Sequence, residues 1–487
     1  MNEVGCRGDD FVEVVNVGVE PFDMARVTVR RAAAAIPWGT GPLPVGERAL
    51  FRPAASGFGY ACGVEKVKLA IDGLLLPQVD LPHLPQDASY ARIPDALGAF
   101  GPATPTPGAA NLAYLDEAAR LFDTLDEPVP ASPPRLDLAL SPSDEAALRA
   151  NGHVYVRVDV TFTDAAGSTT APGAGIRIKG QSVRRTLDQK AAFRLDFDRF
   201  APGGHLFGLE KLVLNNLVQD NSASRERVFY GLFARRGLPV SRFGYVAVYV
   251  NAVYFGVYVA LEAQNDPGFL GRELPSTAAT YEGEYGQDLF VGNEGFFDQD
   301  FGVPDGGALL APITQSLEAA RPDTILEHTM AFIDWEQVTR NMAADMLCGH
   351  WDSYTATRNN FTLHVSNAGR LRLLSGGADQ SFDPDRTHPL PFREGQGHLL
   401  RRCVEDGDCA AGYDLAVLDT AVDFAAWLDT TGPTGLTGRQ RLAADALTLE
   451  ALFETDPRRE WDNHQIPTLV DDIVSYLDER TAAALAP

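Results

Sequence analysis

The sequence predicts a multidomain chain, with an all-β module first and a larger α+β domain after it. Three observations carry this reading. At 487 residues the chain is longer than one ordinary hydrophobic core, so two or three domains are expected. Residues 9–111 hold short alternating strands broken by turn residues and end in a Pro/Gly/Thr-rich tail. From Gly173 to Glu262 the parts follow as strand, basic turn, strand, helix and apolar hairpin, and helical patterns prevail after residue 390.

Composition narrows the functional classes. Hydrophobic residues make up 45% of the chain, which fits a globular protein and not a disordered one. The formal net charge of −25 repels nucleic acid and anionic lipid, so neither is expected as a partner. The same field repels nucleotides, and a site for one must concentrate cations or recruit a metal ion. Of the five cysteines, Cys403 and Cys409 lie in CVEDGDC, read as an acidic loop where a local disulfide is geometrically easy. Cys6 and Cys62 can pair within the N-terminal module, leaving Cys348 as the odd thiol. Five unrelated reduced cysteines is the alternative, because spacing does not reveal pairing. No basic region and no suitable apolar segment follow Met1, so a mature or trimmed chain without a signal peptide is expected. Residues 244–262 are apolar enough to mimic a membrane span. Their β-branched and aromatic residues alternate around Asn251-Ala252, however, which predicts a hairpin with a two-residue turn and no membrane span.

Taken in order, residues 9–30 and 64–81 read as short strands, the second pair turning at Asp72-Gly73. Phe11-Val12-Glu13-Val14-Val15-Asn16 with Glu20-Pro21-Phe22-Asp23 opens the module. Ser89-Tyr90-Ala91-Arg92-Ile93-Pro94-Asp95 and Thr106-Pro107-Gly108-Ala109-Ala110-Asn111 close it. These stretches resemble the lamin-tail domain, an immunoglobulin-like β-sandwich of bacterial exported proteins. The resemblance implies such a sandwich over 1–112, serving as a binding or anchoring module or as a spacer. A linker is read over 113–135, with a helical piece at Ala113–Leu125 and a Pro-rich joint. The second domain is read over 136–487, and residues 153–163 give a period-2 strand with Val154, Val156, Val158, Val160 and Phe162 on one face.

Gly180-Gln181-Ser182 follows a strand and is flanked by Arg177, Lys179, Arg184 and Arg185. Small residues let backbone N–H groups approach an anion while the cations neutralise it, although a solvated basic loop has the same composition. Lys190 opens the next strand, KAAFRLDF, in which Arg194 alternates with apolar positions. In the following helix Val228, Phe229, Leu232 and Phe233 form the apolar stripe. Asp220 or Ser222 can cap it, and Gly237 and Pro239 stop it. Arg225 and Glu226 fall within or beside the stripe, where an unpaired charge is costly. Lys190 is therefore expected to pair with Glu226, the ion-pair type that places phosphates in kinases. A favourable acid in a helix first turn is the plainer alternative.

Residues 265–325 read as loops, whose acids Glu282, Glu284, Asp288, Asp298, Asp300 and Asp305 match no Ca²⁺ loop and are taken as solvated. A helix starts at Asp334-Trp335-Glu336-Gln337 with a capping-box pattern and runs to Cys348. Beyond it Asp352 is a candidate base or orienting group for a hydroxyl, with Asn359 and Asn360 as candidate metal holders. Asp379, in ADQSF after the strand RLRLL, is the strongest candidate metal ligand. Helices at Tyr413–Trp427, Arg439–Leu452 and Leu469–Ala484 complete the chain. Hydrolase signatures such as GxSxG and HExxH are absent.

GIRIKGQS, KAAFRLDF, LVLNN…DNSASRERVFYGLF, GLPVSRFGYVAVYVNAVYFGVYVALE and ADQSF together resemble the spore-coat protein H (CotH) kinase-like family over roughly residues 150–385. The resemblance implies a two-lobed, protein-kinase-like α+β domain, with a β-rich lobe near 136–265 and a helical lobe near 325–487. It implies ATP and Mg²⁺ as cofactors, with Mn²⁺ or Ca²⁺ as substitutes, and a protein substrate at the cell surface or in a spore or coat layer. The catalytic set is then Lys190, Glu226 and Asp352, and the metal set Asn360 and Asp379. The nucleotide set is Lys179, Gly180, Ser182, Arg194 and Glu262, the last leading into the interlobe connection beside the adenine. Family members often carry a tryptophan ahead of the metal-gripping Asp, where this chain has Gly376-Gly377. The expected protein is a secreted or cell-envelope serine/threonine kinase. The rival is a non-catalytic extracellular adhesin or surface-organising protein, favoured by the scarcity of ATP outside cells.

Overall fold

The computed structural model describes residues 1–8, 10–31, 34–53, 59–180, 184–383 and 391–486. The chain is multidomain, β-rich towards the N-terminus and helix-rich towards the C-terminus. Its first compact unit comprises Met1–Ala118, Phe197–Glu210 and Asp266–Ser276; its second comprises Ala119–Asp196, Lys211–Asn265 and Thr277–Pro487.

In the first unit a six-stranded antiparallel sheet has Ser89–Ile93, Glu3–Gly5 and Phe11–Val15 at its centre. A second sheet is built on Lys66–Ile71 and Val27–Arg31. Val4, Val12 and Phe51 from one sheet join Val29, Val67 and Leu69 from the other in one buried cluster. The Asp72-Gly73 turn has positive φ at both residues and joins Ile71 to its partner Leu74, as a tight hairpin requires. Two buried carboxylates hold the Pro/Gly-rich tail: Glu3 accepts from the Thr106 amide at 3.0 Å and Glu13 from the Gly108 amide at 2.7 Å. Cys6 and Cys62 form a disulfide.

The second unit contains a closed barrel of seven strands. In barrel order they are Arg135–Ala139, Val156–Asp164, Gly167–Ile178, Phe193–Asp196, Lys211–Asn215, Val253–Glu262 and Phe243–Val250. Closure comes from the parallel pairing of Phe243–Val250 with Arg135–Ala139. Val156, Val158, Val160 and Phe162 face the core, whereas Val154 lies before the strand and is 54% exposed. The apolar hairpin forms at Asn251-Ala252, both in the left-handed region that a two-residue type I′ turn needs. Among the described residues no helix is long and apolar enough to cross a membrane.

The helix Arg225–Arg235 follows the barrel strand Lys211–Asn215. Asp220 caps it, one carboxylate oxygen accepting from the Arg225 amide at 2.8 Å and the other from the Ser222 hydroxyl at 2.6 Å. Val228, Phe229, Leu232 and Phe233 are fully buried, and Gly237 ends the helix with φ +62°.

Several local readings are corrected by tertiary packing. Ala113–Leu125 forms no α-helix, only a 3₁₀ turn at Glu117–Leu121. Leu121, Leu125 and Val129 are buried, and the Val129 amide donates to Asp445 at 2.9 Å, so this part of the stretch read as linker is packed against the second unit's core. Residues 265–325 hold more than loops. Thr277–Glu282 and Asp298–Phe301 join Phe361–Ser366 and Leu371–Ser375 in a four-stranded sheet. Two of the acids taken as solvated are engaged: Asp288 accepts from Tyr354 at 2.7 Å and Asp305 from Tyr281 at 2.7 Å. The helix Trp335–Leu347 forms without the expected cap, because the Asp334 carboxylate is drawn to Arg372 at 2.9 Å. CVEDGDC is a junction between helices His398–Glu405 and Gly407–Asp429, capped by Asp406 and closed by a Cys403–Cys409 disulfide. Helices Gly438–Phe453 and Ile466–Leu485 follow, and Cys348 is a buried free thiol.

Candidate functional site

The strand Gly167–Ile178 delivers Lys179 just past its end, where the Lys179 amide donates to the Ala192 carbonyl at 2.8 Å. The Lys179 ammonium donates to Asn215 Oδ1 at 2.7 Å, and Asn215 Nδ2 donates to Glu226 Oε1 at 2.7 Å. Glu226 is 1% exposed, and its Oε2 has no hydrogen-bond partner. Burial drives the Lys179 pKa down and those of Glu226 and Asp379 up. Asp379 and Asp220 add repulsion to the burial of Glu226, and Asp220 and Asp352 to that of Asp379, while Lys179 opposes both shifts. One lysine and two carboxylates thus share a single electrostatic neighbourhood.

That lysine is not the one expected to pair with Glu226. Lys190 sits in the turn before Phe193–Asp196, 2% exposed, with its ammonium 2.5 Å from Asp456 Oδ2. The Val257 amide also donates to Asp456, at 3.0 Å, and the Tyr258 and Phe453 rings flank the ammonium. Burial lowers the Lys190 pKa to about 8, against the pull of Asp456. Nothing near Lys190 in the sequence signals an acid this far along the chain, whereas the helix pattern signals Glu226.

Two loops bring the later oxygens together. Asp352 Oδ1 accepts from Asn359 Nδ2 at 2.9 Å and Oδ2 from Asn360 Nδ2 at 2.8 Å. The Gly376 amide donates to the Asn360 carbonyl at 3.0 Å. Gly377 has φ +61°, and a Cβ there would stand 2.7 Å from Asn360 Cγ, so the glycine lets the loop of Asp379 close on Asn360. His350 binds the Gly376 carbonyl at 2.8 Å through Nε2, which must carry the hydrogen because a carbonyl only accepts. Burial lowers its pKa to about 4 and keeps the ring neutral. Below both loops, Asp345 accepts from Thr355 at 2.8 Å and interacts with the Ser353 and Ser375 hydroxyls.

Other expected residues divide. Arg194 is on the strand Phe193–Asp196, 3.9 Å from Glu282, and both influence Lys179. Burial, and after it Glu282, raise the Asp300 pKa to about 6, so a second acidic pair borders the site. Glu262 is 1% exposed and clasped by Arg242 at 2.9 and 3.1 Å, which engages the carboxylate expected beside an adenine. Gly180 is exposed with φ +102°, while Ser182 lies outside the described residues. Of the flanking cations, Arg185 is paired with Glu460 at 2.6 Å.

Among the described residues, no group of three or more His, Cys, Asp or Glu is arranged to hold a metal ion. Asp352, which accepts from Asn360 Nδ2 at 2.8 Å, is near enough to Asp379 to act on it electrostatically. Burial, and after it Asp220 and Asp352, raise the Asp379 pKa, and a divalent cation would relieve the repulsion between the carboxylates.

Residues 176–388 match the family model described as CotH kinase protein. This part of the chain is similar to the CotH kinase family, and the match spans Lys179, Asn215, Glu226, Asp352 and Asp379. No curated protein matches the chain. Asn215, Asp220, His350 and Asp345 carry no sequence signal of a role in the site, although the first two lie in LVLNN and DNSASRE.

Proposed function

We propose that this protein is an atypical secreted protein kinase that transfers the γ-phosphoryl group of ATP to serine or threonine hydroxyls of surface or coat proteins. The observation that carries this reading is the convergence of Lys179, Glu226 and Asp379, from three separate segments of the part similar to the CotH kinase family, into one electrostatic neighbourhood. In this reading the barrel is the small lobe and the C-terminal helices complete the large one. The N-terminal unit is a lamin-tail-like immunoglobulin sandwich that anchors or recruits. Two disulfides are compatible with an extracellular location.

Lys179 takes the phosphate-positioning role first given to Lys190. Asp352, fixed by two asparagine amides, orients the acceptor hydroxyl and takes its proton as the oxygen–phosphorus bond forms and the bond to ADP breaks. Asp379 and Asn360 would hold Mg²⁺, which supplies charge neutralisation for the transferring phosphoryl group. The test is incubation with γ-labelled ATP, Mg²⁺ and candidate surface proteins, beside an Asp352→Ala variant. Label on serine or threonine that the variant fails to deliver supports transfer. ATP binding without label on any protein, the kinase included, would assign a binding role.

A further inference from the structure

We infer that Asn215 is a positioning residue that holds Lys179 and Glu226 apart and sets where the lysine presents its charge. The inference rests on the kinase reading for its functional consequence, but its geometry stands independently. Asn215 is 8% exposed, at the end of the barrel strand Lys211–Asn215, and its carboxamide uses both ends at 2.7 Å. The orientation is unambiguous: an ammonium has no acceptor, so Oδ1 must face Lys179, which leaves the NH₂ group for Glu226. A lysine and a glutamate that would otherwise meet are thus bridged by a neutral amide. Only one ammonium N–H is committed to the amide, and the others remain available to a phosphate. Glu226 keeps one buried oxygen without a hydrogen-bond partner.

Without the amide the two charges are free to collapse onto each other, which withdraws the lysine from a nucleotide. Asn215→Leu is therefore expected to raise the KM for ATP about tenfold, the loss of one hydrogen bond to a charged group, with a smaller change in kcat. Asn215→Gln, which keeps both ends of the amide, should recover part of that loss, and Asn215→Asp, which faces Glu226 with a second carboxylate, should not. Asn216→Ala, which removes a 2.6 Å bond from the residue just after the strand to the Lys190 carbonyl, should lower stability and leave the KM alone.

A chemical readout separates this inference from the kinase reading. Acylation of Lys179 by an amine-selective reagent, followed by peptide mass spectrometry, needs no turnover. It should slow about fivefold or more in Asn215→Leu as the lysine closes on Glu226 and holds its proton more tightly. Slowed acylation in a protein that transfers no phosphate upholds the bridge and overturns the kinase reading alone. Unchanged acylation with unchanged KM in a folded Asn215→Leu variant overturns the inference and leaves the kinase reading standing.

Discussion

Lys190 and Asp456 form a buried ion pair 2.5 Å apart, across 266 residues of sequence, and it ties a turn of the barrel to the end of the helix Gly438–Phe453. Gly256 makes room for it, since a Cβ there would lie 2.2 Å from Asp456 Oδ1. Removing one partner leaves an uncompensated buried charge. Lys190→Ala or Asp456→Ala should each cost about 3–5 kcal/mol, measured by denaturant unfolding. Replacing both residues by Met and Leu should recover most of that loss. In folded Lys190→Met protein the affinity for Mg·ATP should match the parent's. A variant that keeps its stability but loses nucleotide binding would return Lys190 to the site.

Asp345 gives the protein a pH signature. Burial raises its pKa from 3.8 to about 7. A carboxyl raised in the folded state keeps its proton after the unfolded chain has released it. Stability is therefore greatest at low pH on this account and falls as pH rises from about 4 to 7, with a slope approaching about 1.4 kcal/mol per unit. Asp345→Asn should flatten the difference curve obtained by urea melts across that range. Parallel curves for parent and variant would show that Asp345 is ionised throughout.

The close fit of Gly377 against Asn360 predicts that Gly377→Ala costs about 1–3 kcal/mol, from left-handed strain and a contact under 3 Å. Because the displaced neighbour is a proposed metal holder, phosphoryl transfer should fall more steeply than stability, read as kcat at saturating Mg²⁺ beside a thermal melt. The two should fall together if the contact only supports the fold.

The disulfides should differ in weight. The Cys6–Cys62 bridge closes a loop of sequence separation 56 and the Cys403–Cys409 bridge one of 6. In the chain-entropy account, serine replacement of each pair costs about 4 and about 2 kcal/mol respectively. Calorimetric unfolding of the two double variants checks the order.

What the sequence revealed followed from period and turn chemistry. The hairpin at Asn251-Ala252, the buried stripe of Arg225–Arg235 and the strand through Val160 are local patterns, and each formed. The misreadings came where distant partners decide. Asp334 carries a capping-box pattern, yet Arg372 on the strand Leu371–Ser375 and Arg370 just before it claim its carboxylate. Lys190 has a plausible partner in the helix glutamate Glu226, yet an acid beyond residue 450 holds it. Lys179 is legible as a cation in a basic turn, but not as the lysine joined to Glu226 through Asn215, because a side-chain bridge between a strand end and a helix start has no period.

Isothermal titration of Mg·ATP into the parent and into Asp379→Asn tests the central claim most directly. The account predicts a saturable heat for the parent that requires Mg²⁺, and its loss in a variant that still folds. Equal heats for the two proteins, or none for the parent, would contradict it.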